Sequence, residues 1–205
     1  SEFYDAYYEV QEALDQHQRK VALQRFQQMQ ARQKDHRLTL MAERSLARYD
    51  QDALRELAVI ERLLQLFPQD INLQVSKAYV LGYLARFQEQ IDYLEQQVAQ
   101  AQPYPHPYLV EQLASALAKD NRQARHASAH LQYILYRQPT NAAALWMLAG
   151  AHWDLAEYEQ AYQYYRLCST LQDKHEGYVT SFFRAARYLK HTEKALQRLQ
   201  QRIDH

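Results

Sequence analysis

Apolar side chains recur along this chain every three or four residues, in runs of about 13–15 residues whose other face is polar. In one run Leu145, Leu148, Ala149 and His152 form the stripe; in the next it is Ala161, Tyr165 and Cys168. Such spacing places side chains on one side of an α-helix, so the pattern predicts a succession of amphipathic helices. Only 3 Gly and 5 Pro occur in 205 residues, which leaves little turn chemistry for a β protein and favours helices joined by tight turns.

The pattern also repeats. Moved by 34 residues, Ala161 and Tyr165 land on Ala127 and Leu131 in one direction and on Ala195 and Leu199 in the other. Earlier units place Gln90 with Leu94, Glu56 with Ile60, and Ala22 with Phe26. The bulky member is apolar every time, while the small member is Ala in four of the six. Breakers keep the same beat: Pro68 and Pro139 lie twelve residues after the small position, Pro103 misses that place by one, and Asp173 occupies it in the fifth unit. The reading is six helix–turn–helix units at about 3–36, 37–70, 71–104, 108–141, 142–175 and 176–205. The alternating prolines of "QPYPHPY" predict an extended link between the third and fourth.

A 34-residue unit with W-x2-L-G-x2-Y, then A-x3-F, then P resembles the tetratricopeptide repeat (TPR). The fifth unit carries the resemblance best: Leu145 stands for the Trp, Leu148 for the Leu, Ala149 for the Gly, His152 for the Tyr, Ala161 for the Ala and Tyr165 for the Phe. In the first three units the first helices depart from it, with Glu9, Glu43 and Lys77 at the place of Leu148. Val75, Ala78 and Gly82 fit the third unit only after a one-residue shift. The resemblance implies an all-α fold, a right-handed α-solenoid of antiparallel helix–turn–helix repeats with a concave and a convex side.

It also implies which face is open. Beside the core stripe of 145–152 runs a second stripe, Trp146, Gly150 and Trp153, on the face that lines the concave groove of such arrays. Both tryptophans of the chain lie there, and Gly150 bares the helix surface between them. The same step from these residues leads to Thr180, Arg184 and Arg187 on one side and to Gln112, Ala116 and Lys119 on the other, with Tyr83 at about this place in the third unit. Aromatic anchors with arginines suit a peptide bearing acidic and apolar side chains. The competing reading is that the Trp rings cover neighbouring helices and the arginines are merely solvated. Gln112 and Ala116 are not the Lys/Asn set by which chaperone-clamping arrays hold a terminal carboxylate, so that specialised function is not expected.

Charge narrows the classes further. The 24 basic and 24 acidic residues cancel, which argues against a nucleic-acid binder that neutralises many phosphates. Cys168 is the single cysteine, excluding an internal disulfide or a four-Cys zinc site. It sits at a small-residue core place, where a reactive thiol is unexpected. His126 and His130 are spaced i, i+4, but "HASAH" has no acidic residue between them and no third ligand follows, so no metal site is expected. His152, at a core Tyr place, is expected buried with a hydrogen bond. No Gly-rich phosphate loop or nucleophile elbow occurs. No catalytic residue, cofactor or membrane span is expected.

The expectation is a protein–protein interaction module that binds a peptide or partner protein in its groove, and not an enzyme. The alternative is a self-associating or spacer domain that positions another domain. The chain starts "SEF" without Met and stops within a helical pattern, which reads as a segment of a larger protein. Lacking a signal-peptide pattern and paired cysteines, it slightly favours a cytoplasmic compartment.

Overall fold

The computed structural model describes residues 1–102, 105–119 and 124–204. Among them it contains eleven α-helices and no strand. Five antiparallel pairs come first: α1 (Glu2–Asp15) with α2 (Arg19–Arg32), α3 (Arg37–Tyr49) with α4 (Ala53–Leu66), α5 (Ile71–Tyr83) with α6 (Phe87–Gln100), α7 (Pro107–Ala118) with α8 (Ala124–Arg137), and α9 (Ala142–Asp154) with α10 (Tyr158–Leu171). A single long helix, α11 (Glu176–Asp204), follows. No helix among the described residues is long and apolar enough to cross a membrane. The chain divides into two compact units, Ser1–Tyr93 and Leu94–His205.

The turns inside the pairs explain how so few glycines suffice. His17, Gln51, Ala85 and Ala156 each adopt the left-handed conformation, with φ of 57°, 55°, 58° and 59°. At each, the next residue's N–H reaches back to a carbonyl five residues earlier: Gln18 to Ala13, Asp52 to Ala47, Arg86 to Leu81 and Glu157 to His152. This is the Schellman closure, which satisfies the last carbonyls of the first helix and reverses the chain within three residues. Glycine would adopt this φ without strain, and none of the four is glycine.

Side-chain caps start the other helices. His36 Nδ1, Asp70 Oδ1, His106 Nδ1, Asn141 Oδ1 and His175 Nδ1 accept from the backbone N–H of Leu38, Leu73, Tyr108, Ala144 and Tyr178. Each satisfies a donor that the first helical turn leaves without a partner.

In the first unit Val10, Leu14, Phe26, Met29, Leu38 and Leu46 pack α1, α2 and α3 into one core. Further along, Leu40, Val59, Leu63 and Leu73 join α3, α4 and α5. The charged residues that break the repeat here are paired. Glu9 meets Arg25, Glu43 meets Arg62 at 2.5 Å and Arg55 at 3.7 Å, and Lys77 lies 3.7 Å from Glu61 and over the ring of Tyr93. Gln90, where the repeat calls for Ala, buries its amide and donates to the carbonyl oxygen of Ala78 at 3.0 Å. Gly82 makes the room: a Cβ there would come within 2.7 Å of the Gln90 amide nitrogen.

In the second unit Val110, Ala114, Leu131, Ile134, Ala144 and Leu148 form the core of α7, α8 and α9.

Three expectations need correction. The third unit needs no shift at its start, since α5 begins 34 residues after α3 and Ala78 is fully buried at the helix place of Ala149. The shift lies instead in the fourth unit. Capping by His106 with Pro107 behind it starts α7 one residue early, so the buried Leu109, Val110, Leu113 and Ala114 match Ala144, Leu145, Leu148 and Ala149 at a step of 35. Of the expected extended link, residues 103 and 104 lie outside the described residues, Pro105 and His106 are non-helical, and Pro107 and Tyr108 already belong to α7. Finally, 176–205 is not a hairpin. No glycine, proline or left-handed residue interrupts Tyr178–Asp204, so α11 runs on as one helix.

Candidate functional site

In the second unit the open side of α9 borders a cleft of about 280 Å³. Gly150 is its floor: a Cβ there would meet only the Tyr165 hydroxyl, at 3.9 Å. Trp146 stands on one side, 41% exposed, and its indole N–H donates to Ser181 Oγ at 3.2 Å, which fixes the ring against α11. Tyr178 lies 6.1 Å away from the same ring. Ser115, Ala118 and Lys119 come from the end of α7, Met147 and Asp154 from α9, and Tyr165 from α10. Burial, and then the nearby Asp154 carboxylate, push the Tyr165 phenol above its ordinary value, so it stays protonated. The cleft thus offers an aromatic wall, a bare backbone floor, and a cation and an anion at its rim.

The other expected groove residues are placed differently. Trp153 is half-buried in a three-ring cluster, 4.9 Å from Tyr158 and 5.0 Å from Tyr188, with those two rings 4.6 Å apart. It therefore packs α11 against the α9–α10 pair. Arg184 and Arg187 are exposed on α11 and do not line the cleft. Gln112 is half-buried and Ala116 is in the core, because the step from α9 to α7 is 35 residues. That same step, applied to Gly150 and Trp153, would have found Ser115 and Ala118.

Tyr83 belongs to the first unit. There it lines a separate cleft of about 250 Å³ with Tyr79, Val80, Arg48 and Glu56. The i, i+4 spacing of Tyr79 and Tyr83 was the sequence signal for this exposed pair.

The chemistry-bearing residues elsewhere are accounted for by packing. Cys168 is fully buried, its thiol donates to the Ala142 carbonyl oxygen at 3.3 Å, and burial pushes it up to about 12. His126 and His130 have ring centroids 4.9 Å apart, and His126 lies 3.4 Å from Glu95. Burial first, and then His126, hold His130 below the ordinary imidazole value. His152 stacks on Tyr164 at 5.3 Å, and its Nδ1 lies 3.4 Å from Glu157 Oε2 without the geometry of a hydrogen bond, so the ring nitrogens are buried beside a carboxylate and not hydrogen-bonded as expected. Among the described residues no group of three potential ligands is arranged to hold a metal.

Helical pairs stacked on a 34-residue beat define an all-α solenoid of antiparallel helix–turn–helix repeats. Comparison with solved structures identifies the fold as that of TPR proteins. A tetratricopeptide repeat protein from Parabacteroides merdae superposes with a TM-score of 0.76 at 8% identity, over 98% of this chain and 78% of its own. PilW, a type IV pilus biogenesis factor, gives 0.68 at 16% identity over 95% of this chain and 89% of its own. MamA gives 0.64 at 14% identity over 78% and 86%. No protein-family model matches the chain. No curated protein matches it by sequence.

Proposed function

We propose that the chain is a protein-interaction module whose second unit seats an apolar side chain of a partner peptide on the Gly150 floor. The observation that carries this reading is the open space above Gly150, walled by Trp146 and bounded at the rim by Lys119 and Asp154. A glycine in a helix interior costs about 1 kcal/mol relative to alanine. Here that cost leaves a bare backbone beside an exposed indole, which is the composition of a binding hot spot. Peptides with an apolar anchor and an acidic neighbour fit the floor and the Lys119 side of the rim. The solved structures of the same fold support an interaction role in general, and the cleft supplies its local chemistry.

The test is selection of a random peptide library on the immobilised chain and on Gly150→Gln, which fills the floor from a solvent-facing position. The expected result is an apolar and acidic consensus enriched by the unmodified chain and lost with Gly150→Gln. Equal enrichment by both would place binding on another surface and sink the assignment of this cleft.

A further inference from the structure

The last helix carries a repeat of its own. Along α11 the residues Tyr178, Phe182, Ala185, Leu189, Thr192, Leu196, Leu199 and Ile203 follow one another at alternating steps of four and three. This period is the seam of a coiled coil, narrower than the stripe by which a helix packs on a globular core.

Only the first half of the seam is used within the chain. Tyr178 lies beside Trp146, Phe182 stacks on Tyr162 with ring centroids 5.5 Å apart, and Ala185 is buried. From Lys190 to Asp204 every residue is exposed. The seam nevertheless continues there through Leu196, Leu199 and Ile203, which are 60%, 54% and 77% exposed. At 1.5 Å per residue this uncovered half is about 22 Å long. Its one polar seam residue, Thr192, already donates its hydroxyl to the Tyr188 carbonyl oxygen at 3.0 Å, so covering it strands no donor.

The charges of the free half are kept off the seam. Lys190, Lys194 and Arg198 lie on the side of the helix turned away from Leu196, Leu199 and Ile203. A bilayer or an acidic surface that received the seam would leave these three cations facing away from it. Beside the seam stand Glu193 and Gln200 on one edge and Ala195 and Arg202 on the other. With a single charge on each edge, and of opposite sign, the seam selects neither an acidic nor a basic partner. It suits a helix with the same repeat.

We infer that the free half of α11 pairs antiparallel with the same half of a second copy, as a short two-stranded coiled coil. What selects a second copy is that the stretch is complementary to itself. Setting Leu196 against Leu199 of the second copy brings Thr192 opposite Ile203 and overlaps residues 191–204 of both chains end to end. Each edge then meets its own counterpart: Glu193 faces Gln200, Ala195 faces Arg202, and no like charges come together. Lys190, Lys194 and Arg198 stay in water on the outside. A parallel pair would instead carry both α9–α10 pairs to the same end, where each is packed on the first half of its own α11. The antiparallel contact is one patch used by both copies, so it closes as a two-fold dimer. It uses no residue of the Gly150 cleft and stands apart from the peptide-binding reading.

The experiment is sedimentation velocity across a concentration series at low and high salt. Three proteins are compared: the unmodified chain, a Leu196→Glu, Leu199→Glu variant of the seam, and a Lys190→Gln, Lys194→Gln variant of the outer side. All four positions are exposed, and near-ultraviolet circular dichroism checks that the packed aromatic rings are undisturbed. The unmodified chain is expected to pass from monomer to dimer and no further, without weakening in high salt. The seam variant stays monomeric, and the outer-side variant dimerises as the unmodified chain does. Direction is read by oxidising an equimolar mixture of Thr192→Cys and Ile203→Cys chains, in which the buried Cys168 is out of reach. The expected product is the mixed disulfide. A monomer at every concentration, undiminished association of the seam variant, or chains of each variant linked to themselves in place of the mixed product would overturn the inference.

Discussion

Ala85 and Ala156 close their turns at φ near +58°, a region that costs an L-residue with a Cβ about 1–2 kcal/mol. Replacing either by Gly removes that strain and returns about 0.4–1 kcal/mol through the greater freedom of the unfolded chain. Ala156→Gly and Ala85→Gly are therefore each expected to stabilise by about 0.5–1 kcal/mol. Thermal unfolding should then move up by about 1–4 °C for a domain of this size. A lower midpoint for both would show that the turns are not strained. The sequence did not mark these positions, because a left-handed turn residue is usually recognised by its glycine. Gln90 was hidden for a related reason: its fit depends on the space beside Gly82 and the carbonyl of Ala78, a pairing that no single-position pattern displays.

At the level of elements, the second helices obeyed the repeat closely, while α7 and α11 did not. One capping residue moved α7 by a single place, and that was enough to carry Ala116 into the core and bring Ser115 to the cleft. Trp153 shows the same limit. Its stripe was legible, yet the stripe gives only the side of α9 it leaves from, and α11 arrives there with Tyr188. Trp153→Ala removes a half-buried indole from between Tyr158 and Tyr188 and is expected to cost about 2–3 kcal/mol, below the full cost of a core aromatic. Hydrogen exchange is the measurement that locates the loss. Amides of Glu176–Leu189 should lose protection ahead of those in α9 and α10, since α11 is held by this cluster. Uniform loss across all three helices would mean that α11 is anchored elsewhere.

For the molecule as a whole, stability should depend on pH through His130. Its native value is held below the ordinary 6.5, chiefly by burial and then by His126, with Glu95 acting the other way. Between the native value and 6.5 the unfolded chain binds the proton and the folded chain does not, so stability rises with pH in that window. The contribution is intact above about pH 6.5 and is lost as pH falls toward and through the native value. Denaturant unfolding at pH 7.5 and pH 5 should therefore show a larger loss for the unmodified protein than for His130→Gln. Equal losses would remove His130 as the cause.

The residue order by itself determined the helical class, the 34-residue beat and most core positions of the second helices, α2, α4, α6, α8 and α10, because those follow from which side of each helix is apolar. It also placed Trp146 and Gly150 together on the open side of α9. Tertiary structure alone decided the partners: which charged intruders were paired, which tryptophan lined a cleft and which pinned a helix, and that α11 runs on past the α9–α10 pair. The physical reason is that helical periodicity is local, set within three or four residues. What covers a given face depends on where another element, distant in the chain, comes to rest.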